Sequence, residues 1–303
     1  MLNMSISSVI ISRLKLSKPV LILTRTLKTS IIMSNSDLVV VEHLASITTI
    51  GINRPSMRNC INTPTAEALL KATEDFESDP SSKVAVLYGV GGNFCSGYDL
   101  KELGESPPTD LFSYGRGPMG PSRFETTKPV IAAVEGFAVA GGFELALWCD
   151  LRVVEETAVM GVFCRRFGVP LIDGGTVRLQ AIVGLGRALD LILTGRPIKG
   201  PEAHQWGLAN YLVACGSAVG QAVHLAQSLT KFPQECLKAD RRSTLNAALS
   251  SDSFQEALKF EHENGVPIIV KESVAGAQKF VSGVGRHGKF HIDADFDATK
   301  SKL

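Results

Sequence analysis

Two runs rich in β-branched residues, 38–42 and 47–52, flank a small turn and predict an opening β-hairpin. Thr63-Pro64 then marks a helix start, because proline suits a first helical turn. Ala66, Leu69, Leu70 and Phe76 fall on one face of that helix. The apolar run 84–88 predicts a strand covered on both sides, closing a β-β-α-β unit. Runs 130–134 and 151–154 repeat the strand signal, with a Gly141-Gly142 turn and a helix over 143–149 between them. Beyond Gly175 the helical period takes over at 177–182, 187–193 and 201–206. A last strand is predicted at 210–213, followed by almost unbroken helix to about Ser282.

This pattern is that of an α/β protein with a helical C-terminal part. It divides into a leading segment 1–36, an α/β core 37–214, a helical region 215–292 and a tail 293–303. A strand–turn–helix unit recurs three or four times without a legible sequence repeat. Residues 104–128 form a long irregular stretch punctuated by Pro107, Pro108, Pro118 and Pro121. A loop of that length inside a compact domain is usually functional or disordered, and here it predicts a movable pocket wall.

Composition narrows the function classes. The 303 residues are 45% hydrophobic and 20% charged with a formal net charge of +1, so charge gives no case for nucleic-acid binding. Six cysteines (Cys60, Cys95, Cys149, Cys164, Cys215, Cys236) show no CxxC pair and read as reduced thiols, with Cys149 in the core. No apolar run approaches the ~18 residues of a membrane span.

Both ends read as addresses. Residues 1–36 hold five basic residues (Arg13, Lys15, Lys18, Arg25, Lys28) and no acid, the composition of a mitochondrial transit peptide or of a plain disordered tail. Met33 is an alternative start. The chain ends in Ser301-Lys302-Leu303, the tripeptide read by the peroxisomal import receptor, so peroxisome is expected first and mitochondrion second.

The candidate chemistry sits in two glycine-bounded segments, Asn93-Phe94-Cys95-Ser96-Gly97-Tyr98-Asp99-Leu100 and Ala140-Gly141-Gly142-Phe143-Glu144-Leu145. Each reads as a turn entering a helix, where backbone N–H groups lack intrahelical partners. Two such donors converging on one carbonyl make an oxyanion hole, with Glu144 a carboxylate one turn inside the second helix. Taken alone, Glu144 reads better as a stabiliser of that helix end.

These segments resemble the crotonase superfamily of enoyl-CoA hydratases and isomerases. Asn53-Arg54-Pro55 with Arg58-Asn59 is similar to its first CoA-contacting loop, and Phe94 to Leu100 to its F-C/S-A/S-G-x-D-L element. Lys128-Pro129-Val130 through Cys149-Asp150-Leu151-Arg152 matches its longest signature, and Thr194-Gly195, Glu202-Ala203 and Gly207-Leu208 the element after it. The similarity runs from about Val39 to Phe290. It implies a spiral of β-β-α units with two sheets, a C-terminal helical region used in assembly, and a homotrimer or homohexamer.

The resemblance also implies roles. The oxyanion donors are the N–H groups of Tyr98 and Gly141, and Glu144 handles the water at the β-carbon. Arg58, Tyr98, Asp99, Leu100, Lys101, Gly141 and Lys289 contact CoA, which belongs to the substrate, so no cofactor is expected. The second glutamate of family hydratases falls at Cys164, a departure. Asp173 is the candidate replacement, its alternative role being a helix N-cap. Arg165 and Arg166 are candidates to hold a substrate carboxylate or pair with Asp173. In the tail, Arg286 and Lys289 are candidates to meet CoA phosphates. The expected reaction is reversible hydration of a 2-enoyl-CoA in fatty-acid oxidation. The alternatives are double-bond isomerisation and acyl-CoA binding with weakened catalysis.

Overall fold

The computed structural model describes residues 29–31, 38–105 and 117–285. The expected hairpin is β2 (Val39–Leu44) and β3 (Ile47–Ile52), and β1 (Thr29–Ile31) adds an edge strand antiparallel to β2. That edge strand lies within the segment expected to sit outside the fold. Helix α1 (Thr63–Ser78) starts where the proline signal puts it, capped by the Asn62 side chain accepting from Thr65 N–H. Strand β4 (Val84–Gly89) follows, then the short helix α2 (Leu100–Glu105).

Strands β5 (Val130–Val134) and β7 (Leu151–Glu155) continue the sheet, and β10 (Tyr211–Val213) completes it. The seven strands run in the order β1-β2-β3-β4-β5-β7-β10, and every pairing from β3 onward is parallel. Their side chains alternate between two apolar clusters. Ile50, Ala85, Leu87, Ala132 and Val134 face the larger core with α1, while Val84, Val86, Ile131, Ala133 and Val153 face away from it. That second face is covered by α7 (Ala218–Leu229), whose Ala218, Ala222 and Ala226 recur every four residues and let the helix sit close on the sheet.

A second sheet of three strands, β6 (Phe137–Val139), β8 (Val159–Gly161) and β9 (Ile198–Lys199), was not legible as strands in the sequence. Each is too short for a period-2 pattern to show. Helix α3 (Gly141–Trp148) leaves β6 two residues earlier than the predicted 143 start. Helices α4 (Gly175–Val183), α5 (Leu185–Thr194) and α6 (Gly200–Gln205) follow the predicted order.

The almost unbroken helix expected to about Ser282 is helical as predicted but divided by short turns. The chain forms α7, α8 (Gln234–Leu249) and α9 (Phe254–Ile268), then a π turn at Ile269–Ser273 and α10 (Val274–Val281). Pro233 opens α8, and Ser253 caps α9 by accepting from Glu256 N–H. Pro267 removes a backbone donor near the end of α9, next to the π turn. No helix among the described residues is long and apolar enough to cross a membrane.

Candidate active site

Backbone pairing draws the two glycine-bounded segments together. Cys95 lies beside β6, donating its N–H to the Phe137 carbonyl (2.9 Å) and accepting from Val139 N–H (3.0 Å). On its other side the segment pairs with Ile61, whose N–H donates to the Gly97 carbonyl at 2.8 Å. A planar trans peptide aims its N–H opposite to its C=O, so the Tyr98 amide points away from Ile61. It donates to no acceptor among the described residues, and neither does the amide of Gly141 at the start of α3.

Gly97 shows how closely these loops approach. A β-carbon there would lie 2.9 Å from Ala140 Cβ and 3.1 Å from the Gly141 nitrogen, and φ is +100°. At Gly141 a β-carbon would meet the Met119 sulfur at 2.5 Å. Between β6 and α3, Ala140 holds φ 55° and ψ −129°, a strained conformation for a residue with a side chain. Its N–H donates to the Gly161 carbonyl of β8 at 2.9 Å, so the second sheet carries this corner.

Glu144 is 2% exposed, one turn into α3. Its Oε1 accepts from the backbone N–H groups of Asp173 and Gly175, both at 2.9 Å, while Oε2 has no partner among the described residues. Burial, then the charge of Asp173, pushes the Glu144 carboxyl up to about 7. Asp173 is buried too, and its Oδ1 accepts from Met119 N–H (3.1 Å) and the Ser122 hydroxyl. Burial also raises the Asp173 carboxyl. The N-cap alternative for Asp173 does not hold, because the cap of α4 is Gly174 and no side chain caps that end. Arg178, on α4, donates to the carbonyls of Asp173 (2.8 Å) and Ser122 (2.7 Å), locking the turn that carries Asp173 and supplies the amides to Glu144.

A cavity of about 210 Å³ is lined by Tyr98, Leu100, Gly141, Glu144, Cys164 and Asp173, with Met119, Phe163 and Val169 among its apolar walls. Burial and the nearby Glu144 charge raise the Cys164 thiol. Other expected contacts lie elsewhere. Asp99 accepts from Arg54 (3.0 Å) and from Lys101 N–H (3.2 Å), tying a loop to α2, and Lys101 is exposed. Arg58 lies over the Phe137 ring at 5.0 Å. Neither Arg165 nor Arg166 pairs with Asp173. Arg165 donates to the Ile192 carbonyl, and Arg166 donates to Gly195 and stacks on Phe163. Arg286, Lys289 and Ser301-Lys302-Leu303 lie outside the described residues, as does 106–116 of the predicted pocket wall. Ser122, Met119 and Arg178 were missed, since nothing local in sequence pairs residue 122 with 173.

Residues 42–284 match the family model described as enoyl-CoA hydratase/isomerase. The chain belongs to that family. Enoyl-CoA hydratase EchA19 of Mycobacterium tuberculosis is 34% identical over 74% of this chain and 85% of its own length. A probable peroxisomal enoyl-CoA hydratase 1 of Arabidopsis thaliana is 32% identical over 79% and 90%. The crystal structure of enoyl-CoA hydratase EchA1 from Mycobacterium marinum superposes with a TM-score of 0.76 at 32% identity, covering 81% of this chain and 96% of that one. Family relatives include proteins named as mitochondrial as well as peroxisomal. The fold is therefore the crotonase fold expected from the sequence.

Proposed function

We propose that the protein catalyses the reversible hydration of a 2-enoyl-CoA in fatty-acid oxidation. The observation that carries this reading is the unpartnered Glu144 Oε2, beside Asp173, in a cavity also lined by Tyr98 and Gly141, whose amides have no acceptor among the described residues. The thioester oxygen sits between the N–H groups of Tyr98 and Gly141, which stabilise the charge that develops there as water adds to the β-carbon. Removing one such donor costs about 3 kcal/mol of transition-state stabilisation. Ionised Glu144 takes a proton from water, held in place by the two amides on its Oε1. Two coupled carboxyls in one site share a proton easily, so Asp173 is the partner that manages the proton at the α-carbon. CoA enters as part of the substrate, and no further cofactor is invoked.

Loss of the conjugated-thioester absorbance of crotonyl-CoA tests this. Decay that falls a hundredfold or more in Glu144→Gln supports it. Absence of decay, with turnover of a 3-enoyl-CoA, would establish the second reading, double-bond isomerisation. That reading is favoured by one observation: a thiol, Cys164, occupies the second-glutamate position, and a single carboxylate suffices to shuttle a proton. Assembly as a homotrimer or homohexamer belongs to the same proposal. So does peroxisomal delivery through Ser301-Lys302-Leu303, with mitochondrial routing as the alternative.

A further inference from the structure

The cavity holds one reactive group that hydration leaves unused. Cys164 lines it from the 3₁₀ turn Phe163–Phe167 and, alone of the six cysteines, faces that space. Cys60, Cys95 and Cys149 are buried away from it, while Cys215 and Cys236 are exposed. Glu144, a residue only 2% exposed, lines the same cavity with one carboxylate oxygen unpartnered among the described residues.

We propose that Cys164 is a reversible covalent attachment site for the 2-enoyl-CoA itself. This rests on the hydratase or isomerase reading of the cavity, since it needs the enoyl group bound there. A 2-enoyl thioester is an electrophile at its β-carbon, and a thiol is a better nucleophile toward it than water. The Sγ–Cβ bond forms and the Cα=Cβ π bond is consumed. The thiol proton passes to the Glu144 carboxylate and then to Cα. Nothing is oxidised or reduced and nothing leaves, so the chain gains the whole enoyl-CoA as a thioether. The reverse step is β-elimination with the Cys164 thiol as leaving group, the same bond change as loss of water from a 3-hydroxyacyl thioester.

The elements that favour water addition favour this one equally. The Tyr98 and Gly141 amides stabilise the same enolate whichever nucleophile attacks. Burial keeps the Cys164 thiol protonated at neutral pH, so addition requires Glu144 as base and the substrate in place. General alkylation from solution falls on Cys215 and Cys236 instead, which makes them internal controls.

The test is mass spectrometry on the purified full chain incubated with crotonyl-CoA and quenched in acid. The expected result is a gain of one crotonyl-CoA per chain. Peptide mapping should place it on Cys164 at least tenfold above Cys215 and Cys236. The adduct should vanish in Cys164→Ser and fall tenfold or more in Glu144→Gln. Unmodified Cys164 in wild type, while crotonyl-CoA is converted to its 3-hydroxy product, overturns the proposal and leaves the hydratase reading standing. Equal labelling of all accessible thiols overturns it as well, as simple solution reactivity. If neither crotonyl-CoA nor a 3-enoyl-CoA is turned over, the functional reading falls, and this proposal with it.

Discussion

Glu144 carries a charge where burial opposes it, and that tension has a sign and a size. In the unfolded chain its carboxyl titrates near 4.5, and in the fold at about 7. Between those values the native state binds a proton the unfolded state has released, so stability falls as pH rises through the window and levels off above it. About 2.5 pKa steps correspond to a penalty on the order of 3 kcal/mol. Glu144→Gln keeps an oxygen for the Asp173 and Gly175 amides and removes the charge. Denaturant unfolding should therefore show the variant more stable by up to about 3 kcal/mol at pH 8, with the gap closing near pH 5. Activity runs the opposite way, falling a hundredfold or more. A rate that needs ionised Glu144 should rise through pH ~7. Because the Asp173 charge is the second cause of the raised Glu144 carboxyl, Asp173→Asn should move that acid limb to lower pH. A limb that stays in place would remove Asp173 from the site's electrostatics.

At the scale of elements, the active-site corner depends on two loops in contact at Gly97. Gly97→Ala forces a β-carbon against Ala140 Cβ and the Gly141 amide, at a φ that alanine resists. Separating the loops moves both amides proposed as oxyanion donors, so on that proposal the rate constant for crotonyl-CoA should fall at least a hundredfold, with about 1–3 kcal/mol lost in stability. A variant with normal turnover would show that the two amides do not act together. This corner marks what the sequence reveals and what it does not. Gly97, Gly141 and Glu144 were legible because turn chemistry and helix starts are local properties. The strands that hold them were not, since Phe137–Val139, Val159–Gly161 and Ile198–Lys199 have three or two residues each and find partners far along the chain. The support of Asp173 by Met119 and Ser122 was hidden for the same reason: the contact with Ser122 spans 51 positions. The main sheet, by contrast, was read almost strand for strand, because burial on both faces leaves long apolar runs.

For the whole molecule, the helical region is joined to the core at a specific place. Arg241 of α8 donates to Asp150 Oδ1 at 2.9 Å and to the Thr126 carbonyl, and the other Asp150 oxygen accepts from Val130 N–H at the head of β5. Beyond that joint, large apolar side chains remain exposed on two surfaces. One is α5, where Leu185, Leu189 and Leu193 recur every fourth residue. The other runs from the π turn into α10, with Val270 at 82% and Val281 at 72% exposure. Apolar surface of this kind fits a contact with another copy of the chain, as the proposed assembly requires. The proposed assembly of three or six chains would cover surfaces such as these. Light scattering should therefore give three or six times the 32.4 kDa chain mass. Charge placed on either surface, as in Leu193→Asp or Val270→Asp, should then lower the mass below that of the wild type. A wild-type mass of one chain at micromolar concentration would leave both stripes without a protein partner and end the assembly proposal.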